Sequence, residues 1–207
     1  MKKYIYMTGM MLTMAVSAAP ANAESSGGLV FEPYGMVGVG TLSIKQTGLR
    51  QITATTFSQM GKAYYPYAYA VIGANVHKYL AVEMRYGATK ADANNATSVN
   101  TKATADYLFS ILVKPQAYMT DDAIIYALLG GTRARIAGPG VGSPANNNAI
   151  GTKVSTGFSY GVGAEYKLND HMSGAFEAIR YMKTNATPPT PNKVTLDSYS
   201  FNLKYYF

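Results

Sequence analysis

Cysteine and tryptophan are absent from this 207-residue chain, histidine occurs twice, and charged residues make up only 14% of it. Without cysteine there is no disulfide and no thiolate metal site. With His77 and His171 as the sole imidazoles, there is little material for a nucleophile with its base, and neither a cofactor nor a metal is expected. Long apolar runs are also scarce. One, from Tyr4 to about Val16, is shorter than the roughly 20 residues a bilayer-spanning helix needs, and no second run approaches that length. No helical period is sustained over ten residues. What the chain has instead is 18 Tyr and 20 Gly, a composition suited to aromatic-rich sheet rather than to a helical enzyme.

The apolar run follows Met1-Lys2-Lys3 and leads to Pro20 and Ala21-Asn22-Ala23. That is the layout of a secretory signal peptide over 1–23, cut before Glu24. The expected mature chain, 24–207, is of single-domain size. It keeps 16 of the 18 Lys and Arg against 11 Asp and Glu, a net charge of +5.

Eight alternating or partly alternating segments follow, at about 30–42, 63–74, 79–88, 103–114, 123–136, 154–167, 171–182 and 194–207. A period of two means strands with one apolar and one polar face. In the third, Leu80, Val82, Met84 and Tyr86 alternate with Ala81, Glu83, Arg85 and Gly87. In the sixth, Phe158, Tyr160, Val162, Ala164 and Tyr166 alternate with Ser159, Gly161, Gly163, Glu165 and Lys167. Most are long enough to cross a membrane as tilted strands of about 9–11 residues. Long linkers rich in Gly, Asn, Thr and Pro (43–62, 89–102, 137–153, 183–193) alternate with short ones near 75–78, 115–122 and 169–170. This rhythm predicts an all-β, eight-stranded, antiparallel up-and-down transmembrane barrel, with long extracellular loops and short periplasmic turns. Within Gly38-Val39-Gly40, which lacks the strand-turn-helix context of a dinucleotide site, the glycines are expected to make room inside the barrel.

Residues 77–86 and 171–181 echo each other, each with Glu six positions after His, but Arg180-Tyr181 arrives one residue later than Arg85-Tyr86. Strict alternation would turn Arg180 toward lipid. Either a one-residue bulge between Glu177 and Arg180 restores its parity, or Arg180 lies near enough to the interface to snorkel.

The chain closes on Tyr199, Phe201, Leu203, Tyr205 and Phe207, alternating with Ser200, Asn202, Lys204 and Tyr206. With this terminus the sequence resembles the small eight-stranded outer-membrane barrels of Gram-negative bacteria, the OmpA/OmpX-like and opacity-protein-like family. The resemblance covers essentially all of 24–207. It implies location in the outer membrane, a final strand read by the barrel-assembly machinery through those five residues, and no appended peptidoglycan-binding domain.

An eight-stranded barrel is filled by its own side chains. On the expected lumen parity lie Glu83, Arg85, Asp106, Arg133, Arg135, Glu165, Lys167 and Glu177, of both signs, and buried charges must be paired. An ion-pair plug with little open channel is therefore expected, the alternative being a narrow porin-like pore. His171-Met172-Ser173 superficially resembles the His-x-Ser of lipid A-deacylating barrels, but it follows a short turn on the periplasmic side, away from the outer-leaflet substrate. No enzymatic activity is expected. In the long linkers, Lys45, Arg50, Lys62, Lys90, Lys102, Lys153, Lys183 and Lys193 face Asp92 alone. A basic rim favours an anionic partner: lipopolysaccharide and outer-membrane lipid around the barrel, or an acidic host or matrix polysaccharide. The expected role is surface interaction, adhesion or envelope integrity by a monomer, with no nucleic acid as partner.

Overall fold

In the computed structural model, residues 29–47, 49–51, 57–59, 62–89, 104–139, 150–183 and 193–207 are described. The expected signal peptide, Lys90, Asp92 and Lys102 lie outside them. Among the described residues ten strands follow one another without a helix: β1 (Leu29–Thr47), β2 (Leu49–Gln51), β3 (Phe57–Gln59), β4 (Lys62–His77), β5 (Leu80–Thr89), β6 (Thr104–Tyr118), β7 (Ala123–Pro139), β8 (Ile150–Lys167), β9 (Met172–Lys183) and β10 (Lys193–Tyr206). Eight close in the order β1-β10-β9-β8-β7-β6-β5-β4, every pair antiparallel, while β2 and β3 form a separate hairpin. β6 runs through Pro115 to Tyr118, where the sequence suggested a turn. Proline withholds one ladder donor, and the N–H of Gln116 instead donates to the Tyr79 carbonyl at 3.0 Å.

One end of the barrel, the turn end, carries the connections at 78–79, 119–122 and 168–171. Asn169 Oδ1 accepts from the N–H groups of His171 and Met172 at 2.9 and 2.8 Å, an Asx-type closure that starts β9. The opposite end, where β1, β5, β7 and β9 finish, is the loop end.

The polarity of the wall inverts along the barrel axis. Toward the turn end and through the middle, the outside is apolar, with Val37, Ile72, Met84, Ile111, Phe158, Val162 and Phe201 all exposed. The inside there holds all six buried charges among the described residues: Glu83, Arg85, Lys114, Glu165, Glu177 and Lys204. At the loop end the inside is apolar, packed with Leu42, Ile44, Tyr67, Leu108, Ile136, Met182 and Leu196, and the outside carries Lys45, Lys62, Asp106, Arg133, Arg135 and Lys183. Apolar surface is stable outside only against lipid, and charge outside only against water or headgroups. The inversion therefore marks the level where hydrocarbon ends.

Inward tyrosines need room, and glycines on facing strands supply it. A Cβ on Gly163 would lie 2.4 Å from the Tyr126 ring, and one on Gly38 would lie 2.5 Å from the Tyr69 ring. Gly163→Ala is expected to destabilise the barrel by roughly 1–3 kcal/mol through overpacking, as read by urea unfolding in lipid vesicles; a neutral change would mean that Tyr126 has space to move.

Candidate functional site

The turn-side interior is a continuous network of three carboxylates and three cations. Arg85, on β5, is held from both sides. Its Nη1 and Nη2 donate to Glu177 Oε2 and Oε1 at 2.7 and 3.0 Å, and its Nε donates to Glu83 Oε2 at 2.9 Å. Glu83 Oε1 accepts from the Tyr34 hydroxyl at 2.7 Å, and Glu177 accepts from the hydroxyls of Tyr69 at 2.9 Å and Tyr126 at 2.8 Å. A second centre forms around Glu165 on β8. It takes Lys114 Nζ at 2.8 Å, Lys204 Nζ at 3.1 Å, Ser173 Oγ at 2.6 Å and the Tyr206 hydroxyl at 2.7 Å. Lys114 joins the centres, lying 3.7 Å from Glu83 Oε1. Lys114 and Lys204 each place Nζ 3.8 Å from a tyrosine ring centroid, Tyr126 and Tyr34 respectively. Equal charge and dense hydrogen bonding are what a buried ionic cluster needs to offset desolvation.

Of the eight residues expected in the lumen, Glu83, Arg85, Glu165 and Glu177 meet in this network. Lys167 shares the parity of Glu165 but sits half-buried at the turn-end mouth, its Nζ 5.8 Å from the Tyr118 ring centroid. Asp106, Arg133 and Arg135 correct the sequence reading: all three are exposed on the outer wall, where Arg135 Nε lies 3.3 Å from Asp106 Oδ2. The loop-end inversion is the reason, since there the apolar partners Ala134 and Ile136 fill the interior. A register shift at Asp106 adds to it.

Two cations of the plug, Lys114 and Lys204, are missing from the sequence-based lumen set. Lys114 was hidden by its neighbour Pro115, which reads as the start of a turn; Lys204 shows the lumen parity of Ser200 and Asn202, a signal that was available. The inward tyrosine hydroxyls were hidden too, because tyrosine counts as apolar in an alternation pattern.

Arg180 stands on the outer face. β9 and β10 pair without a shift from Met172 to Arg180, and the bulge comes one step later, at Tyr181. It turns Tyr181 and Met182 both inward and leaves Arg180 outside. There its Nε and Nη2 donate to Asp197 at 2.6 and 3.2 Å, and its Nη1 donates to the Tyr160 hydroxyl at 3.2 Å. The expected bulge between Glu177 and Arg180 is therefore misplaced.

Exposed Lys45, Lys62 and Lys183 lie on the barrel wall itself, in β1, β4 and β9, with Lys62 Nζ 4.7 Å from the Tyr64 ring centroid. Arg50, Lys153 and Lys193 lie in β2, β8 and β10. Tyr199, Phe201, Leu203, Tyr205 and Phe207 all face outward, and the Phe207 N–H donates to the Pro33 carbonyl at 3.2 Å. His171 stacks on Tyr205 at the surface, whereas Ser173 is buried and bound to Glu165. Among the described residues no group of three or more His, Cys, Asp or Glu could hold a metal ion.

The closed eight-stranded barrel is a fold shared with known proteins. The family model for the outer membrane protein beta-barrel domain matches residues 8–207. The chain belongs to the outer membrane protein β-barrel family. Like other members it is located in the outer membrane. No curated protein matches it by sequence. Among solved structures, it is similar in fold to the neisserial surface protein NspA at 12% identity and a TM-score of 0.61, covering 84% of this chain and 97% of that one. It is likewise similar to OprG of Pseudomonas aeruginosa, at 12% identity and a TM-score of 0.51, covering 86% and 97%. A third is Ail, the attachment invasion locus protein of Yersinia pestis, solved with the heparin analogue sucrose octasulfate, at 12% identity and a TM-score of 0.50, covering 85% and 99%.

Proposed function

We propose that this family member is a non-enzymatic barrel that acts at the cell surface, in adhesion or envelope integrity, by holding anionic partners against its basic loop end. The observation that carries this reading is the charge balance of the outer wall there. Lys45, Lys62, Arg133 and Lys183 are exposed without a carboxylate partner among the described residues, while Asp106 and Asp197 are already engaged by Arg135 and Arg180. A like-signed field of this kind draws in phosphate or sulfate from a distance. Lipopolysaccharide phosphate is the first candidate partner, and an acidic host or matrix polysaccharide the second; the sulfated ligand in the Ail complex is of the second kind. The non-enzymatic reading is supported by Ser173, whose hydroxyl is committed to Glu165, with no imidazole bonded to it among the described residues. The pore reading is disfavoured by the cross-linked plug.

Replacing Lys45, Lys62 and Arg133 together with Gln is expected to weaken attachment to immobilised lipopolysaccharide or heparin about tenfold or more, at roughly 0.5–1 kcal/mol per exposed contact. Wild-type attachment should itself fade with salt, because such charges act over about 8 Å at physiological ionic strength. Surface plasmon resonance at two salt concentrations checks both, and binding indifferent to charge and salt alike would leave the barrel a purely structural role.

A further inference from the structure

The strand register sets three of these lysines in a single line. Lys62 on β4 pairs with Lys45 on β1, Lys45 with Thr195 on β10, and Thr195 with Lys183 on β9. The line crosses the seam at which the first and last strands of the barrel meet. Lys62, Lys45 and Lys183 are exposed and Thr195 half-buried. Like charges directly opposite one another on neighbouring strands oppose pairing, and the Lys45–Lys62 pair does so on β1 and β4, immediately beside the seam. Beneath the line runs a second one, Tyr64, Ser43, Asp197 and Arg180. Ser43 has outward parity, since Leu42 and Ile44 fill the interior on either side of it. Yet Ser43 is 1% exposed, and its Oγ has no hydrogen-bond partner among the described residues. The one carboxylate in the two lines, Asp197, is taken by Arg180. Three cations, a threonine hydroxyl and an unsatisfied serine hydroxyl thus share one face.

We infer that this face holds the phosphate of a membrane lipid, and that the bound headgroup steadies the barrel beside its seam by relieving the Lys45–Lys62 repulsion across β1 and β4. Lipid is favoured over a soluble glycan by position. On β10 the outward series descends from Thr195 through Asp197 to Tyr199, Phe201 and Leu203, all three exposed on the apolar band. Four residues at about 3.3 Å, tilted in the barrel, place the lysine line roughly 10 Å above Tyr199. Flexible lysine stems can reach down from there to a headgroup layer roughly 5–8 Å thick. The line also faces sideways from the wall, toward neighbouring lipid, rather than up from the loop tips. Such a site presupposes the basic loop end proposed above but is confined to one side of it.

The test is urea unfolding of the refolded barrel in phosphatidylcholine vesicles, with and without phosphatidic acid in the bilayer and with and without dissolved inorganic phosphate. Phosphatidic acid is expected to raise the wild-type midpoint, as any ligand selective for the folded state must. Lys45→Gln with Lys62→Gln should abolish that rise and, in pure phosphatidylcholine, unfold at a higher midpoint than wild type. Arg133→Gln with Arg135→Gln, at the loop end of β7 on the other side of the barrel, should keep the rise. If the first pair does not insert, Lys183→Gln alone should reduce the rise, together with retention of phosphatidic acid in native mass spectra. Equal loss of the rise in both double variants would overturn the seam site and leave the diffuse basic surface standing. An undiminished rise in both would overturn the seam site, and attachment unaffected by charge in the plasmon resonance experiment would separately remove the surface reading. A rise reproduced by dissolved phosphate would overturn the lipid as the ligand.

Discussion

Glu165→Ala is expected to destabilise the barrel by roughly 3–5 kcal/mol, the usual cost of leaving a buried charge without its partner. Glu165 is the sole carboxylate hydrogen-bonded to Lys204 among the described residues, and it also binds Lys114, Ser173 and Tyr206. Its removal strands an ammonium group in a site closed to water, beside the faces of Tyr34 and Tyr206. Lys114 would be left with Glu83 at 3.7 Å. Adding Lys204→Met should recover a large part of the loss, because it removes the stranded charge and refills the volume. Equilibrium unfolding in lipid vesicles measures both. A loss below about 1 kcal/mol, the scale of exposed pairs, would put water around Glu165 and contradict a closed plug.

Phe207→Ser is expected to lower the amount of barrel in the outer membrane severely while leaving the folded barrel little changed. The side chain faces outward and is 58% exposed, touching the Tyr205 ring at a centroid distance of 5.6 Å. The strand-closing bond from its N–H to Pro33 is backbone and survives the substitution. Losing one apolar side chain from the lipid-facing wall costs at most roughly 1.5–3 kcal/mol, too little to empty a membrane. A large cellular deficit beside near-normal refolding in detergent would therefore report on recognition of the last strand before insertion. Membrane fractionation with heat-modifiable gel mobility gives the comparison, and Asn147→Ser serves as the neutral reference. Equal outer-membrane levels for the two variants would refute an address-label role for the terminal residue.

Much of the architecture was legible as periodicity. Leu80 to Gly87 and Phe158 to Lys167 alternate so cleanly that a strand with two unlike faces follows from a repeat of two. The eight expected segments correspond to the eight barrel strands, with ends displaced by several residues because the strands extend beyond the apolar band. Part of the plug was legible as well, since Glu83, Arg85, Glu165 and Glu177 sit where outward neighbours are plainly apolar. Alternation identified two faces everywhere and stopped there.

Which face looks inward is a matter of surroundings. Arg133 and Arg135 alternate with Ala134 and Ile136 as neatly as Glu83 and Arg85 alternate with Val82 and Met84, yet one pair of charges is outside and the other inside. The same pattern is stable charge-in where lipid surrounds the wall and charge-out where water does, and a period of two carries no information about height in the membrane. Tertiary structure also decided where the period breaks. The extra residues at Asp106 and Tyr181 are recognisable only against the strands they pair with, because a bulge is a mismatch between two chains rather than a property of one. The barrel was thus legible in the sequence alone, through local periodicity and composition, and its outer-membrane setting through the resemblance carried by the last strand. The identity of the buried ion pairs, the outward placement of Arg180 and the lysine line across the seam were decided by register, which brings together residues as far apart in the chain as Arg85 and Glu177 or Lys45 and Thr195.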